Sequence, residues 1–163
     1  MGRRSVKENK SVWQTTRESL GLTREKAGEL IPGFSPERIE KLENGRTQMQ
    51  PEDAVLLAEY YKAPALLNHY CNRECPIGCS RPLPTESKEL AQIAVETLNA
   101  VNRLNRSRDR LLEIVEDGQI KEDEITDFAG IKATLDRLAM SVSTLQLWVD
   151  EQMAKGRIDL QEK

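Results

Sequence analysis

The chain has 163 residues, a formal net charge of −3, 38% hydrophobic and 31% charged residues, and only 4% aromatic residues. This length allows one ordinary domain with an extension or two small domains, and this composition favours elongated helices with thin apolar seams over packed sheets, so we expect an all-α protein. No segment approaches the roughly 20 apolar residues of a membrane span, and three cysteines without a secretory signal favour a reducing compartment, so we expect a cytoplasmic protein with no membrane partner.

Charge is unevenly distributed along the chain. Residues 1–17 contain five basic residues and one acidic residue, whereas residues 81–163 contain 12 basic and 16 acidic residues. We therefore predict a basic arm over residues 1–9, which contains Arg3 and Arg4, ahead of a nearly neutral domain and an acidic C-terminal half.

Turn-forming residues divide the following segment into five short predicted helices. Gly21 is a predicted helix stop, Thr23 and Ser35 are predicted N-caps, and Pro36 suits a first turn because its missing N–H has no helical partner there. Gly28 lies in the middle of the second helix, where glycine is roughly 1 kcal/mol less favourable than alanine, and it predicts a close helix–helix contact. The predicted helices cover about residues 10–20, 23–31, 35–44, 51–63 and 65–71.

The second and third of these helices are separated by a tight turn that contains glycine. Two short helices around such a turn, inside a group of four or five helices, form the helix-turn-helix pattern. We therefore predict an N-terminal five-helix helix-turn-helix domain over residues 10–70.

The most specific motifs of the segment 13–64 are Arg17 followed by Gly21-Leu22-Thr23, the ending Glu43-Asn44-Gly45, and Leu57-Ala58. With these motifs the segment resembles the phage repressor and Cro type of bacterial helix-turn-helix regulators. In that family the arginine of the first helix pairs with the glutamate of the Glu-Asn-Gly element. The resemblance thus implies a structural ion pair between Arg17 and Glu43.

The resemblance also implies which residues face DNA, because in that family the start of the second helix and the first turn of the third helix face the major groove. There, a carboxylate can accept from a cytosine amino group, and a cation can reach guanine or a phosphate. The implied DNA-binding residues are Arg24, Ser35, Pro36, Glu37, Arg38, Lys41 and Arg46, with Arg3 and Arg4 of the basic arm in a minor groove.

Two long amphipathic helices are predicted over about residues 85–117, with Thr85 as N-cap, and 122–155. They form a long antiparallel helical hairpin over residues 85–157, followed by a tail over residues 158–163. A hairpin alone leaves apolar seams uncovered, so we expect it to pair with a second copy and make the protein a homodimer. The alternative is that the hairpin folds back on its own N-terminal domain.

Apolar residues at three- and four-residue spacing mark the predicted seams of the hairpin. The C-terminal motifs, above all "RDRLLEIVEDGQI" and "LQLW", resemble uncharacterised regulators of Firmicutes that carry such a tail. The predicted seams are Leu90, Ala94, Thr97, Val101, Leu104, Arg108, Leu111 and Val115 in the first helix, and Phe128, Ile131, Leu135, Leu138, Val142, Leu145 and Val149 in the second.

The link between the two long helices, "DGQIKEDE", matches the second half of a calcium-binding EF-hand loop. The first half of the loop does not match, because Glu113 and Val115 stand at positions that normally hold aspartate and another oxygen ligand. A helix stop at Gly118, with Ile120 packed into the hairpin and an acidic start to the next helix, explains the same residues, so we expect no calcium site.

The only histidine and all three cysteines lie within eleven residues, at His69, Cys71, Cys75 and Cys79. These side chains could bind zinc, but three residues separate the cysteines each time, whereas structural zinc knuckles usually have two. A zinc site, a regulatory thiol and a buried corner are the three interpretations, and a buried corner is favoured because free cysteine is among the most buried residue types. We predict a joint rich in cysteine and proline over residues 71–84, with no metal and no cofactor.

The pattern favours a sequence-specific double-stranded DNA-binding transcriptional regulator, as a dimeric repressor. One histidine leaves no set of nucleophile, base and orienting group, and no Gly-rich phosphate loop is present, so we expect no enzyme. The acidic net charge and the nearly neutral third helix favour one alternative, a protein-binding adaptor of the antitoxin or phage antagonist kind.

Overall fold

The structure is a computed structural model that describes residues 10–80, 82–116 and 118–160. The predicted basic arm with Arg3 and Arg4, and residues 161–163 of the predicted tail, lie outside the described residues. Within the described ranges the fold is all-α, and none of its helices is long and apolar enough to cross a membrane. The helices are α1 (Val12–Ser19), α2 (Arg24–Leu30), α3 (Pro36–Glu43), α4 (Pro51–Tyr60), α5 (Ala65–Arg73), α6 (Leu90–Arg106), α7 (Arg108–Val115) and α8 (Ile125–Ala154).

Side-chain caps start the first three helices. The predicted N-caps Thr23 and Ser35 are confirmed, since each hydroxyl oxygen accepts a hydrogen bond from the backbone N–H three residues later, at 3.3 and 3.2 Å. Ser11 caps α1 in the same way at 3.2 Å. Gly21, directly after α1, adopts φ +70°, a left-handed conformation that glycine adopts at no steric cost. These local devices fix where short helices begin and end without help from the core.

One apolar cluster holds the five N-terminal helices together. Each large side chain that it buries contributes roughly 1.5–3 kcal/mol relative to an exposed one. Trp13 anchors α1, and Ile39 and Leu42 anchor α3, so the first and third helices share this core. The buried cluster consists of Trp13, Ala27, Ile31, Phe34, Ile39, Leu42, Met49, Ala54, Leu57, Ala58, Tyr61 and Leu66.

After a turn and a short 3-10 helix (Gly78–Ser80), the chain returns to α5 at residues 83 and 84. The Asn72 side chain donates to the Leu83 carbonyl at 2.6 Å and accepts from the Leu83 N–H at 2.8 Å, and the Asn68 amide donates to the Pro84 carbonyl at 2.7 Å. These bonds hold residues 83 and 84 against α5, outside any helix. The predicted N-cap at Thr85 is therefore wrong, and α6 begins five residues later, at Leu90.

The chain divides into two compact units. One contains residues 10–85 together with 149–160, and the other contains residues 86–148. α8 contributes to both, because its residues 125–148 belong to the second unit and its last residues belong to the first. The boundaries predicted from the sequence, at residues 10–70, 71–84 and 85–157, remain predictions.

In the second unit α6 and α7 run antiparallel to α8, and α6 packs against α8 as the predicted hairpin requires. The predicted first helix is interrupted at Ser107, whose N–H is shared between the carbonyls of Arg103 at 3.3 Å and Leu104 at 3.0 Å. The Ser107 hydroxyl also donates to the Arg103 carbonyl at 3.3 Å. A serine that bonds back to its own helix competes with the helical ladder, and α6 ends there.

The buried face of α6 and α7 differs from the predicted seam by one helical position. Four residues of the predicted seam are half-buried as expected, and four are exposed. The half-buried ones are Thr97, Val101, Leu104 and Leu111, and the exposed ones are Leu90, Ala94, Arg108 and Val115. Both arrangements share Thr97, Leu104 and Leu111 and alternate four- and three-residue steps, so the spacing alone allowed either one. The residues that complete the observed face are Ile93, Ala100, Ser107 and Ile114.

α8 buries hydroxyl groups and leaves part of its apolar stripe exposed. Thr134, Ser141 and Thr144 are buried, and each donates its hydroxyl to the carbonyl four residues earlier, at 3.1, 3.0 and 2.8 Å. A hydroxyl satisfied within its own helix can be buried at little cost. Of the predicted seam, Ile131 is buried, but Leu135 and others are exposed, so the seam of α8 was wrong in part. The exposed seam residues are Leu135, Val142 and Leu145.

The turn before α8 is stabilised by its own glutamate. Glu124 is 8% exposed, and its carboxylate accepts from the Lys121 N–H at 3.0 Å. Gly118 adopts φ +71°, as a helix stop does. The expectation that Ile120 packs into the hairpin was wrong, since this side chain is exposed.

Candidate nucleic-acid interface

The α2–turn–α3 segment forms one rigid corner. A Cβ added to Gly28 would lie 3.2 Å from the Phe34 carbonyl oxygen and 3.2 Å from Cδ of Pro36, so a side chain here would require the turn to move by a few tenths of an ångström. The predicted close contact at Gly28 is thus confirmed, and its neighbours are the turn and the first residue of α3. Gly33, with φ +77°, gives the turn its left-handed residue. This corner fixes how α3 is presented to solvent.

A buried ionic cluster ties α1, α2 and α3 together. Arg17 and Glu43 form a bidentate pair with nitrogen–oxygen distances of 2.6 and 3.1 Å, and their side chains are only 6% and 2% exposed. The Arg17 guanidinium also donates to the Leu22 carbonyl at 2.6 Å. Burial lowers the pKa of Arg17, but the hydrogen bonds and charge of Glu43 outweigh that effect, and the pKa is raised. The charged form of Arg17 is therefore the stable one.

Arg24, expected to face DNA, belongs to the same cluster. Its Nε lies 2.9 Å from the second carboxylate oxygen of Glu43, and its side chain is 30% exposed. One carboxylate thus serves two guanidinium groups. Arg24 can reach a phosphate only in competition with Glu43.

Arg38, the first arginine of α3, is also held within the protein. Its guanidinium lies 2.7 Å from the carboxylate of Asp53 at the start of α4 and 5.0 Å from the centre of the Phe34 ring. Its side chain remains 48% exposed, so this is a surface pair of small energetic value. The contact nevertheless directs Arg38 toward α4.

The tip of α3 carries a negative charge. The pKa of Glu37 is lowered by a hydrogen bond from its own backbone N–H and by the Ser35 hydroxyl, so its carboxylate stays ionised at neutral pH. Glu25 at the start of α2 is close enough to raise the pKa of Glu37 slightly, and its own pKa is lowered by its backbone N–H and by Thr23. The two helix starts thus present a pair of carboxylates on the exposed face.

Two lysines and one arginine supply the accessible positive charge of this face. Lys26 in α2 and Lys41 in α3 are exposed and form no ion pair with any described residue. Arg46, just beyond α3, is 66% exposed and lies 3.5 Å from Glu40. Of these three residues, the sequence prediction missed Lys26, although its place in the first turn of α2 was a usable signal.

The structure thus brings Ser35, Pro36, Glu37 and Lys41 to the exposed start and face of α3. Arg46 lies next to its end. The partners of Arg24 and Arg38 are 19 and 15 residues distant in sequence, and no local pattern signals them.

The His69–Cys79 segment is not a buried corner. Cys71 and Cys75 are half-buried and Cys79 is exposed, with its Sγ 3.3 Å from the Asn72 carbonyl oxygen. The packing here is between backbones, since a Cβ on Gly78 would fall 2.2 Å from the Cys71 carbonyl oxygen. The buried corner was therefore the wrong interpretation for the thiols.

The zinc interpretation has no geometric support in the part of the chain that the structure describes. No group of three or more histidine, cysteine, aspartate or glutamate side chains there is placed to hold a metal ion. His69 instead packs edge-on against Trp13, with ring centres 6.1 Å apart, and burial together with Arg73 lowers its pKa.

Comparison with known families agrees with the geometry of the N-terminal unit. The family described as a helix-turn-helix domain matches residues 14–69, which include α2 to α4 and most of α1 and α5. No curated protein and no solved structure matches the chain significantly. Residues 14–69 thus form a helix-turn-helix domain, which indicates DNA binding.

Proposed function

We propose that this protein is a sequence-specific double-stranded DNA-binding transcriptional regulator that acts as a dimeric repressor of the phage repressor and Cro type. The observation that carries the proposal is the corner formed by α2, the turn and α3, closed by Gly28 and the buried Arg17–Glu43 pair, with Lys41 left exposed. A recognition helix must be held rigidly if its side chains are to reach base edges in a fixed register.

The exposed residues on and next to α3 make different proposed contacts with DNA. Lys41 and Arg46 approach guanine or phosphate oxygens, and Glu37 accepts from a cytosine amino group. Ser35 and Pro36 place the first turn of α3 against the groove, and Arg24 and Arg38 contribute where DNA competes with their acidic partners. The basic arm, with Arg3 and Arg4, supplies positive charge that the helices lack and enters a minor groove.

The homodimer forms through one side of the hairpin. The buried residues of each helix follow one line along its surface, which we call the buried line. At 100° per residue, the large exposed apolar residues of α6 and α7 lie on one flank of this line, and those of α8 lie on the matching flank of that helix. Because the helices are antiparallel, the two flanks lie on the same side of the hairpin. We call this the apolar side; its large exposed members are Leu90, Leu98, Leu112, Leu135 and Val142, which are 43–62% exposed.

A second copy is the occupant that fits this surface. A two-fold axis brings the apolar side onto itself and makes a four-helix bundle, so one surface supplies both partners. A two-fold symmetric dimer contains two copies of α3, one for each half-site of an inverted repeat. The half-sites of such repeats lie one or more helical turns of DNA apart.

A protein-binding adaptor is the second candidate function, and the charge arrangement favours it. Arg17, Arg24 and Arg38 are all paired internally, and Glu25 and Glu37 place two carboxylates on the face where phosphates would approach. A basic partner protein would suit such a face better than a polyanion does.

Selection of bound fragments from the source genome with the purified full-length chain tests the two functions. The proposal expects enrichment of an inverted repeat, and affinity for it that falls at least about 10-fold between 50 and 200 mM salt. Lys41→Glu should weaken that binding by a further 10-fold or more, because a phosphate or base contact becomes a repulsion, while Lys62→Glu, an exposed cation after α4, should have little effect.

If no fragment is enriched, or if binding has no salt dependence and Lys41→Glu leaves it intact, the DNA-binding proposal is wrong and the adaptor becomes the better interpretation.

A further inference from the structure

A groove of about 520 Å³ runs between α6 and α8 within the second unit. It lies on the flank of the hairpin opposite the apolar side, because Asn99 and Arg103 fall on one side of the buried line of α6, and Leu98 falls on the other. A volume of this size is in the range of small-molecule sites. The lining residues are Glu96, Asn99, Ala100 and Arg103 from α6, and Arg137, Met140 and Ser141 from α8.

The groove has an excess of positive charge. Arg103 and Arg137 line it from opposite helices, and neither forms an ion pair or a side-chain hydrogen bond with any described residue. Glu96, the one acidic residue of the lining, is already engaged by Lys88 at 2.8 and 3.0 Å and by Gln92 at 3.0 Å. Its charge is therefore matched outside the groove, and the two guanidinium groups lack a counter-charge.

Two like charges facing one groove repel each other unless an anion lies between them. Guanidinium groups bind carboxylates and phosphates in a planar, two-pronged geometry that favours such an anion over chloride. The Asn99 amide, which has no hydrogen bond to any described residue, adds a third donor. Ala100 leaves space between the helices, and Met140 gives the groove an apolar wall.

We propose that this groove binds a small organic anion through a carboxylate or phosphate group, held by Arg103, Arg137 and Asn99. Its lining residues are not among those proposed to contact DNA, and the groove lies on the flank opposite the side proposed to pair with a second copy.

Thermal unfolding of the full-length chain, with sodium phosphate or sodium citrate titrated at constant ionic strength against chloride, tests the site. A bound anion should raise Tm by about 3–6 °C at ten times its dissociation constant. Arg103→Gln and Arg137→Gln should each reduce the affinity at least 10-fold. Arg106→Gln is the matched control, since Arg106 is exposed in the last turn of α6 and outside the groove lining.

The side-chain amide resonances of Asn99, followed by NMR in the same titration, report binding without any substitution. A shift with phosphate alone identifies a phosphate-bearing ligand, and a shift with citrate alone identifies a carboxylate-bearing one. Absence of any response to either anion overturns the proposal, as does a Tm increase that survives in both groove variants or disappears in Arg106→Gln.

Discussion

The two units of this protein achieve stability in different ways. The helix-turn-helix unit buries large side chains such as Trp13 and Ile31 and closes its corner with a dry ion pair. The hairpin buries isoleucines such as Ile93 and Ile114 together with alanine, serine and threonine, and it leaves leucines exposed on its apolar side. The first unit therefore gathers its large apolar residues into one cluster, whereas the second keeps several of them on its surface. The exposed leucines of the hairpin therefore need an explanation that its buried residues do not supply.

The largest effect is expected where the first unit depends on its internal charges. Glu43→Ala should destabilise this unit by about 3–5 kcal/mol, because it leaves the buried Arg17 guanidinium without its partner and also frees Arg24. Urea denaturation measures the change. Glu40→Ala, at a half-buried site on the same helix whose only ion pair among the described residues is the long surface contact with Arg46, should change the free energy of unfolding by less than about 0.5 kcal/mol. Equal effects of the two substitutions would show that the cluster is not what stabilises the unit.

The next effect is expected in assembly. Leu98→Lys should raise the dimer dissociation constant roughly 100-fold, because each dimer loses two buried leucines at about 1.5 kcal/mol each. Val55→Lys is the control, since Val55 is a 51% exposed apolar residue on α4, outside the hairpin. Sedimentation equilibrium gives the masses. A monomeric wild-type chain, or equal disruption by Val55→Lys, contradicts pairing through this side.

Replacement of one glycine in each unit is expected to change stability by a smaller amount and in opposite directions. Gly28→Ala should destabilise the first unit by about 1 kcal/mol, since its new methyl group meets the Phe34 carbonyl and the Pro36 ring at 3.2 Å. Gly130→Ala in α8 should instead stabilise the second unit by about 0.5–1 kcal/mol, because nothing lies within 4 Å and alanine is the better helix former. Thermal unfolding of both variants measures the pair, and a gain at Gly28 would mean that the corner can relax.

The smallest effect is expected at Tyr61. Its hydroxyl is buried with no hydrogen-bond partner in the described residues, and burial together with the charge of Glu43 raises its pKa to about 12. Removing an unsatisfied buried hydroxyl loses no hydrogen bond, so Tyr61→Phe should leave Tm unchanged or raise it slightly. A loss of more than about 1 kcal/mol would show that the hydroxyl is satisfied in solution.

The sequence was sufficient for the local features of the first unit. Thr23 and Ser35 signalled their own caps, and Gly28 signalled a close approach, because each of these depends on one residue and its immediate neighbours. The partners of Arg24 and Arg38 could not be predicted in this way. Their acids come from other helices, and many surface carboxylates compete for any arginine.

The hairpin was predicted less well because its pattern was ambiguous. Two sets of residues with the same spacing run along α6 and α7, and which set is buried is decided by contact with α8. The late start at Leu90 depends on hydrogen bonds from α5 to residues 83 and 84, and the break at Ser107 depends on bonds back to its own helix. The presence of these helices was therefore predictable from the sequence, but the face of each helix that is buried was not.

The burial of the Arg17–Glu43 pair has a consequence for how the protein responds to ionic strength. Dissolved ions screen charges that they can approach, and these two side chains are only 6% and 2% exposed. Concentrations of salt that strip a polyanion from Lys41 will leave the helix-turn-helix corner folded. Release of a bound partner at high salt will thus report the loss of surface attraction alone, with the recognition helix still in place for rebinding when the salt is diluted.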